Sequence, residues 1–351
     1  MADTFNYRID HHGSLVRPVE LVTAREKHAA GEIDAAALRE AELAAVQEVV
    51  VVQRKLRSTV VTDGDFPRED FRSAVLEGVS GFRRTDDTDA DGLVRWVAEA
   101  LPKADGPLVA DWAARLADLT WIAPKVTLPS PAYLAATTFD PALASSGGPA
   151  SARELGEALA AIVQAEIEQL VARGVRLIQL NNPLLLAQVA AGSADDGVLS
   201  FEDALAVDAL AVRLDERPEG VRIGLAPGFE APAELDAAKV GQLYAGIPVD
   251  RWVLPYFQGT ASELELLKAL PEDRDVCLGV VDATTAELED IDTVMARVDA
   301  GAEFKDIEDM AIAPSRGFAD VASRPLLSAE EQRRKLVLVE TLARYCWGNE
   351  F

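Results

Sequence analysis

Cysteine, histidine and methionine are all scarce in this chain: two, three and three copies among 351 residues. The two cysteines, Cys277 and Cys346, lie in apolar surroundings. They read as small buried hydrophobes, which excludes a disulfide framework and a cysteine ligand pair. Basic residues are also in deficit, with 34 Lys and Arg against 59 Asp and Glu, for a net charge of −25. Such a surface repels a phosphate backbone, so no nucleic-acid partner is expected. No apolar run approaches the length that spans a bilayer, and no signal peptide is read at the start. A membrane partner is not expected, and the expected location is cytoplasmic. A Gly-rich phosphate fingerprint is missing after the first strand-like segment, which argues against an open, doubly wound dinucleotide-binding sheet.

What is present is a repeated plan of short apolar runs that end in polar, Gly or Pro residues. The stretch 312–318, Ile-Ala-Pro-Ser-Arg-Gly-Phe, states it most plainly. Gly317 permits a sharp turn there, and Arg316 places a permanent cation at the tip. Runs of the same kind occupy 5–12, 59–62, 122–128, 175–180, 221–225, 251–254 and 276–281. Helical periodicity fills most of the intervals, at 34–56, 152–173, 201–214, 232–245, 286–300 and 328–347. Asp34 is the expected N-cap of the first of these, and Gly174 the expected end of the second. The four-valine run 49–52 is a poor helix signal by propensity, so packing is expected to override it. Residues 71–120 are less regular, with a polar turn at 86–91 and a local hairpin expected at 108–112. Eight strands separated by helices give the expected fold, a single α/β domain over 1–351 built as a (β/α)8 TIM barrel, with an excursion after the second strand.

In such a barrel the working residues sit on the loops after the strands. That selects His11, His12 and Ser14, then Asp63, Asp65 and Arg68, then Thr127, Ser130, Gln179, Asn181 and Asn182, and finally Asp282 and Arg316. A histidine at a strand tip can move a proton near neutral pH. Neighbours on a strand point to opposite faces, so one of His11 and His12 is expected to face the interior. Hydrogen bonding to a nearby loop is the competing role for either. Asp63 and Asp65 flank a glycine and read equally as a turn. Asn181 and Asn182 can orient a substrate but cannot act as acid or base. Arg316 suits a carboxylate or phosphate, or else an internal ion pair with Asp63 or Asp282.

The order of several motifs resembles the cobalamin-independent methionine synthase family, within the wider group that also holds the uroporphyrinogen decarboxylases. The motifs are His11-His12-Gly13-Ser14-Leu15-Val16-Arg17-Pro18, Thr62-Asp63-Gly64-Asp65, Lys125-Val126-Thr127-Leu128-Pro129-Ser130-Pro131, Ile178-Gln179-Leu180-Asn181-Asn182-Pro183 and Gly317-Phe318. Gln332-Arg333-Arg334-Lys335-Leu336 and Trp347-Gly348 close the likeness, which looks like a short form with one catalytic barrel. The resemblance implies a zinc-activated thiolate that takes a methyl group from a methyl-folate, the zinc held by a His-x-Cys pair, a Glu and a late Cys. Gly224, Ala226, Pro255 and Arg316 stand at those four positions, and Asn181-Asn182 replaces the family's acidic pair. None of the four is a zinc ligand.

The expectation is therefore a metal-independent methyl or related group transferase acting on a small anionic substrate. His11, His12 and Asp63 are the expected catalytic residues. Ser14, Asp65, Arg68, Ser130, Gln179, Asn181, Asn182, Asp282 and Arg316 are the expected substrate contacts. No metal and no cofactor are expected, a folate-type methyl donor being implied by the resemblance alone. The alternatives are a metal-free decarboxylase or lyase, with Arg68, Arg316 and Asp63 in the working parts, and a non-catalytic metabolite-binding barrel. Nothing in the sequence decides for or against a homo-oligomer.

Overall fold

The structure, a computed structural model, describes residues 7–89, 92–195 and 197–348. Its strands along the chain are β1 (Val60–Val61), β2 (Val79–Thr88), β3 (Val94–Ala104), β4 (Ala123–Pro129), β5 (Leu177–Asn181), β6 (Arg222–Ala226), β7 (Arg251–Pro255), β8 (Asp275–Val281) and β9 (Met310–Pro314). Seven of them form one curled sheet in the order β1-β4-β5-β6-β7-β8-β9, and every neighbouring pair is parallel. Parallel neighbours need long crossovers, and the helices supply them.

Alternation along each strand separates two environments. Ile178, Leu180, Ile223, Leu225, Trp252, Leu254, Val276, Leu278 and Ile312 belong to the main apolar core, which they share with the flanking helices. Between them lie residues that face the other side: Gln179, Asn181, Gly224, Ala226, Arg251, Val253, Cys277, Ala311 and Ala313. The small ones among these, Ala226, Val253, Cys277, Ala311 and Ala313, form a separate buried cluster.

The first expected strand, 5–12, is reduced. Phe5 and Asn6 lie outside the described residues, and the remainder makes one isolated parallel bridge, Ile9 to Ile312. Its hydrogen bonds nevertheless run to both edges of the sheet. Ile312 N–H donates to Arg8 O (2.8 Å) and Asp10 N–H to Ile312 O (2.9 Å), while Thr59 N–H donates to Ile9 O (3.2 Å).

The 34–56 helix runs over Ala35–Lys55, and Asp34 caps it by accepting Ala37 N–H at 2.8 Å. Val49 and Val50 are buried against Leu15, Phe66 and Val61, whereas Val51 and Val52 are exposed. Burial on one face thus outweighs the poor propensity of the run. The helix Ala152–Ala172 ends before Gly174, whose φ of +88° is the left-handed turn expected of it.

The hairpin expected at 108–112 is not there. Those residues lead into the helix Ala110–Leu119, and the hairpin lies earlier, as the antiparallel pair β2 and β3. Both strands are long and largely exposed, so neither shows a clean apolar face in sequence. Of the polar turn expected at 86–91, Asp86 and Asp87 fall within β2, and residues 90 and 91 lie outside the described residues.

One buried carboxylate fastens this region to the rest. Glu166 accepts N–H groups from Leu108 (2.9 Å), Val109 (2.7 Å) and Ala110 (2.7 Å), the open donors at the start of the following helix. Replacing Glu166 with Ala strands three donors at once. Urea unfolding is expected to show a loss of about 2–4 kcal/mol, and a change under about 1 kcal/mol would mean that the cap is dispensable.

Candidate functional site

The polar residues on the inner side of the sheet organise around Lys125 of β4. Its ammonium, 1% exposed, donates to Asp10 Oδ1, His11 O and Gln179 Oε1, each at 2.7 Å. All three of its N–H groups are thereby used. Asp10 Oδ2 stands 3.8 Å from the Arg251 guanidinium. Burial pushes the Asp10 carboxyl up, but Lys125 and Arg251 together hold it below the usual carboxylate range. Cys277 lies near Asp10, and burial, reinforced by that carboxylate, pushes its thiol up to about 12. It is a protonated thiol and a poor nucleophile.

His11 and His12 point to opposite sides, and the structure shows which is which. His11 Nε2 meets Gln53 Oε1 at 2.8 Å, on the helix Ala35–Lys55. Gln53 itself donates to Thr62 O at 2.9 Å and accepts Thr62 N–H at 2.9 Å, so its oxygen is the acceptor and His11 the donor. Gly13 N–H approaches His11 Nδ1 at 3.3 Å. The His11 side chain joins a loop to a helix, and only its main-chain oxygen reaches the interior, at Lys125. His12 faces inward. Its Nδ1 lies 3.5 Å from Gln179 Nε2, and its ring meets Phe229 edge-on with centroids 6.0 Å apart. Burial, reinforced by Lys125, lowers His11 to about 4 and His12 to about 3, so both are neutral imidazoles.

The three loops that carry the sequence motifs interlock. Thr62 Oγ1 donates to Gly13 O (3.0 Å), Leu15 N–H to Gly64 O (3.0 Å) and Phe318 N–H to Ser14 O (3.1 Å). Arg17 threads between them, donating to Ala319 O, to Asp65 O at 2.6 Å and to Arg68 O at 3.2 Å. Asp65 and Arg68 pair at 2.9 Å, and Arg68 also donates to Thr127 O at 2.8 Å. Burial pushes Asp65 up to about 6 against the pull of Arg68. Asp63 is half-buried and accepts Asp65 N–H at 2.9 Å.

Arg316 pairs with neither Asp63 nor Asp282. Its partner is Asp320 at 2.8 Å, and its guanidinium lies over the Phe229 ring, 4.3 Å from the centroid. Asp320 also accepts from Ser14 Oγ at 2.7 Å. Asp282 closes its own turn, accepting Thr284 N–H (2.8 Å) and Thr284 Oγ1–H (2.7 Å).

Ser130 and Asn182 turn outward to Asp208 on the helix Phe201–Ala211. Ser130 Oγ donates to Asp208 Oδ1 at 2.6 Å, and Asn182 Nδ2 donates to Oδ2 at 2.9 Å. Burial pushes this wholly enclosed carboxyl up to about 6. A cavity of about 10 Å³ behind Asn182, lined by Ala132, Leu185, Leu199 and Ala204, lies on this helix side and has room for about one water molecule.

The structure thus brings His12, Gln179, Asn181 and Arg316 to one inner end, with Ser14 one step removed through Asp320. Asp63, Asp65 and Arg68 form the adjoining loop. His11, Ser130, Asn182 and Asp282 are held in contacts away from it. Sequence reasoning passed over Asp10, Lys125 and Arg251, which form the polar floor, and Phe229 and Asp320, which seat Arg316. The inward spacing of Lys125, Gln179 and Arg251 on otherwise apolar strands was the available signal.

The four positions where the resemblance implies zinc ligands offer no donor set. A Cβ on Gly224 would meet the Arg251 backbone oxygen at 3.4 Å, Ala226 lies in the small apolar cluster, Pro255 has no donor, and Arg316 is a cation. Among the described residues no three His, Cys, Asp or Glu side chains gather around a common point. Zinc does not fit these residues.

The closeness of the loops can be tested at Gly317, where a Cβ would stand 2.0 Å from Ser14 Oγ and 2.2 Å from Asp320 Oδ1. Gly317→Ala is expected to lower stability by about 1–3 kcal/mol in denaturant titration, and an unchanged midpoint would show that the loops can part freely. The buried titratable groups make a second expectation, concerning acid. Below its ordinary value of 6.5 the unfolded chain protonates His11, whereas the folded chain resists down to about 4, so stability is lost as pH falls through that window. Asp208 acts oppositely: the folded chain takes up a proton near 6 and the unfolded chain near 3.8, so acidification relieves a penalty. Each shift converts to on the order of 3 kcal/mol. Stability between these pH limits should fall more steeply with acid in Asp208→Asn than in the parent, and less steeply in His11→Gln. Parallel curves for all three would refute both assignments.

No protein-family profile matches the chain. Two Bacillus subtilis proteins match it over nearly all their length: Uncharacterized protein YxjH, 27% identical over 97% of this chain and 95% of its own, and Uncharacterized protein YxjG, 25% identical over the same shares. Among solved structures, a candidate vitamin-B12-independent methionine synthase from Listeria monocytogenes superposes with a TM-score of 0.77 at 22% identity, covering 98% of both chains. A B12-independent methionine synthase from Shewanella, solved with selenomethionine, gives 0.76 at 17% identity over 97% of both. A methyltransferase from Methanosarcina mazei gives 0.55 at 12% identity over 98% of this chain and 96% of its own. Across nearly its whole length, the chain has the fold of the cobalamin-independent methionine synthase-like proteins, as its motifs led one to expect.

Proposed function

We propose that this protein is a transferase of the methionine-synthase-like kind that moves a methyl or related group to a small anionic substrate without the family's zinc. The reading takes the sheet as a closed (β/α)8 barrel, with residues 8–10 as the eighth stave and the β2–β3 hairpin as the excursion, in one domain spanning the chain. The fold likeness supports the class of reaction. The observation that carries the departure is Arg316, seated on Phe229 at the position where a zinc cysteine is implied. A guanidinium there repels a dication and favours a carboxylate.

Within this reading the residues at the inner end bind and orient. His12 is neutral and buried, so it does not serve as the general base that a free histidine would supply. Asp63, half-buried on the neighbouring loop, is the carboxylate left to accept a proton. A folate-type methyl donor enters by resemblance, and methionine or its precursor is one substrate to try, since the Shewanella relative was solved with selenomethionine.

The decarboxylase alternative needs Arg68 for a substrate carboxylate, and Arg68 is already engaged by Asp65 and Thr127 O. A metabolite-binding barrel is the second reading, favoured by the absence of a titrating histidine at the inner end.

Protein purified without a histidine tag should carry no stoichiometric zinc by elemental analysis. Zinc that survives dialysis against a chelator would reinstate the metal chemistry. Arg316→Ala should keep its melting temperature within a few degrees, because the Arg316–Asp320 pair is partly exposed. It should lose the carboxylate-bearing small molecule that mass spectrometry finds on the parent. Transfer of label from a methyl-folate then separates a transferase from a binding barrel, and marked unfolding of Arg316→Ala would make the arginine structural.

A further inference from the structure

The unpartnered edge of His12 is the most informative loose end in the molecule. His12 is 6% exposed, and its Nε2 has no hydrogen-bond partner among the described residues. A buried polar atom left unpaired is costly, and it points to a ligand. What that atom presents can be worked out from the charge at Lys125. An ammonium can only donate, so the Gln179 atom 2.7 Å from Lys125 Nζ is the amide oxygen. The amide nitrogen must then face the other way. There it donates to Asn181 Oδ1 at 2.7 Å and lies 3.5 Å from His12 Nδ1. An N–H facing Nδ1 selects the tautomer whose proton sits on Nε2. The open edge of His12 is therefore an N–H.

The same chain of bonds fixes Asn181. Its oxygen is taken by Gln179, so the end left over is its Nδ2 amide group, which makes no hydrogen bond among the described residues. Arg316 contributes a third donor. Asp320 occupies one of its terminal nitrogens, while its buried Nε has no partner among the described residues. Phe229 links the parts, with His12 against its edge and the Arg316 guanidinium on its face.

We propose that the inner end of the sheet is a carboxylate-binding site whose donors are the His12 Nε2–H, the Asn181 Nδ2–H and the Arg316 guanidinium, with His12 acting as a permanent donor and never as a base. The site rests on the reading of this end as the place where the anionic substrate binds. It goes beyond that reading by naming the recognised group and by fixing the role and tautomer of His12. The ligand class is a small carboxylate whose oxygens accept from three nitrogens. A cationic or donor-rich ligand is disfavoured there, because the Asn181 and Gln179 side-chain oxygens are already engaged and the Asp10 carboxylate is buried with Lys125 at 2.7 Å and Arg251 at 3.8 Å.

The test uses the full-length protein with imidazole 15N labels, which three histidines keep simple to assign by substitution. His12 is expected to show a protonated Nε2 and an unprotonated Nδ1, with no titration between about pH 8 and about pH 5. Sodium acetate is the probe, with methylammonium chloride as the cationic control. Acetate should move the His12 Nε2 proton downfield with millimolar affinity, and methylammonium should not. His12→Gln keeps an N–H near the Nε2 position and should bind acetate within about threefold of the parent. His12→Leu should lose about tenfold, the usual worth of one such hydrogen bond. Asn181→Asp keeps the oxygen that Gln179 needs, removes the donor and adds a negative charge, and should lose more than His12→Leu. A protonated Nδ1, a His12 titration near 6.5, or equal acetate binding by the parent and His12→Leu each overturns the proposal. If acetate binds as expected but no methyl transfer is found with any donor, the carboxylate site stands and the transferase reading falls.

Discussion

A single buried ammonium sets the order of the polar interior. Lys125 sits on a strand whose alternate residues face the helix layer, with its Nζ enclosed by one carboxylate, one main-chain oxygen and one amide oxygen. Removing a charge from water costs several kcal/mol, and that cost is offset only when every donor is satisfied. The geometry around Lys125 meets this condition, and it thereby fixes its neighbours. Asp10 stays ionised because Lys125 and Arg251 outweigh its burial. Gln179 can present its amide in one orientation, and the orientation passes on to Asn181 and His12. The positive charge also helps to keep both histidines neutral.

The loops above this floor are held by hydrogen bonds to main-chain groups. Arg17 donates to carbonyls on two separate loops, and Gly13, Gly64, Ser14 and Phe318 exchange backbone contacts across three. Close approach is a condition of this arrangement. A Cβ on Gly13 would stand 2.8 Å from Thr127 Cγ2, where φ is already +106°. Residues that look reactive in a linear motif are consequently occupied with holding the loops together. Asp65, Arg68 and Ser14 all sit at the strand tips as their positions imply, yet each has a protein partner. Rigid loops of this kind leave few groups free, and those few stand out because they lack partners.

The parallel strand sequence, most of the helices and the gathering of strand tips at one end were legible in the sequence, since apolar alternation and capping residues are local signals. The hairpin was not. β2 and β3 bury little of either face, so their pattern resembles that of an irregular polar segment. Within the site, Arg316 and Asn181 were legible because a polar residue at the end of an apolar run is conspicuous. Asp10, Lys125 and Arg251 were passed over for the complementary reason: they lie within or before the strands, where charge is unexpected, rather than at the tips. Choosing between His11 and His12 required Gln53, which is 42 residues away in sequence from His11. The same holds for Phe229 and Asp320, whose importance comes only from what Arg316 does in space.

The substitutions at the implied zinc positions have a common electrostatic sense. A metal site needs lone pairs directed inward, and an anion site needs N–H groups directed inward. Gly224, Ala226 and Pro255 offer no side-chain lone pair and Arg316 supplies N–H groups, as does Asn181 at the position of the implied acidic pair. The thiol that remains on the inner side, Cys277, is held protonated by burial and by Asp10. At these positions no side chain adds an acceptor that is left free. Asp320 is the carboxylate beside Arg316, and it binds a terminal nitrogen from the loop side while sharing itself with Ser14. It therefore orients the guanidinium without covering Nε. A carboxylate bound as proposed would meet a positioned cation and need not displace Asp320. Asp320 and the face of Phe229 thus hold the cation in place at little cost in stability.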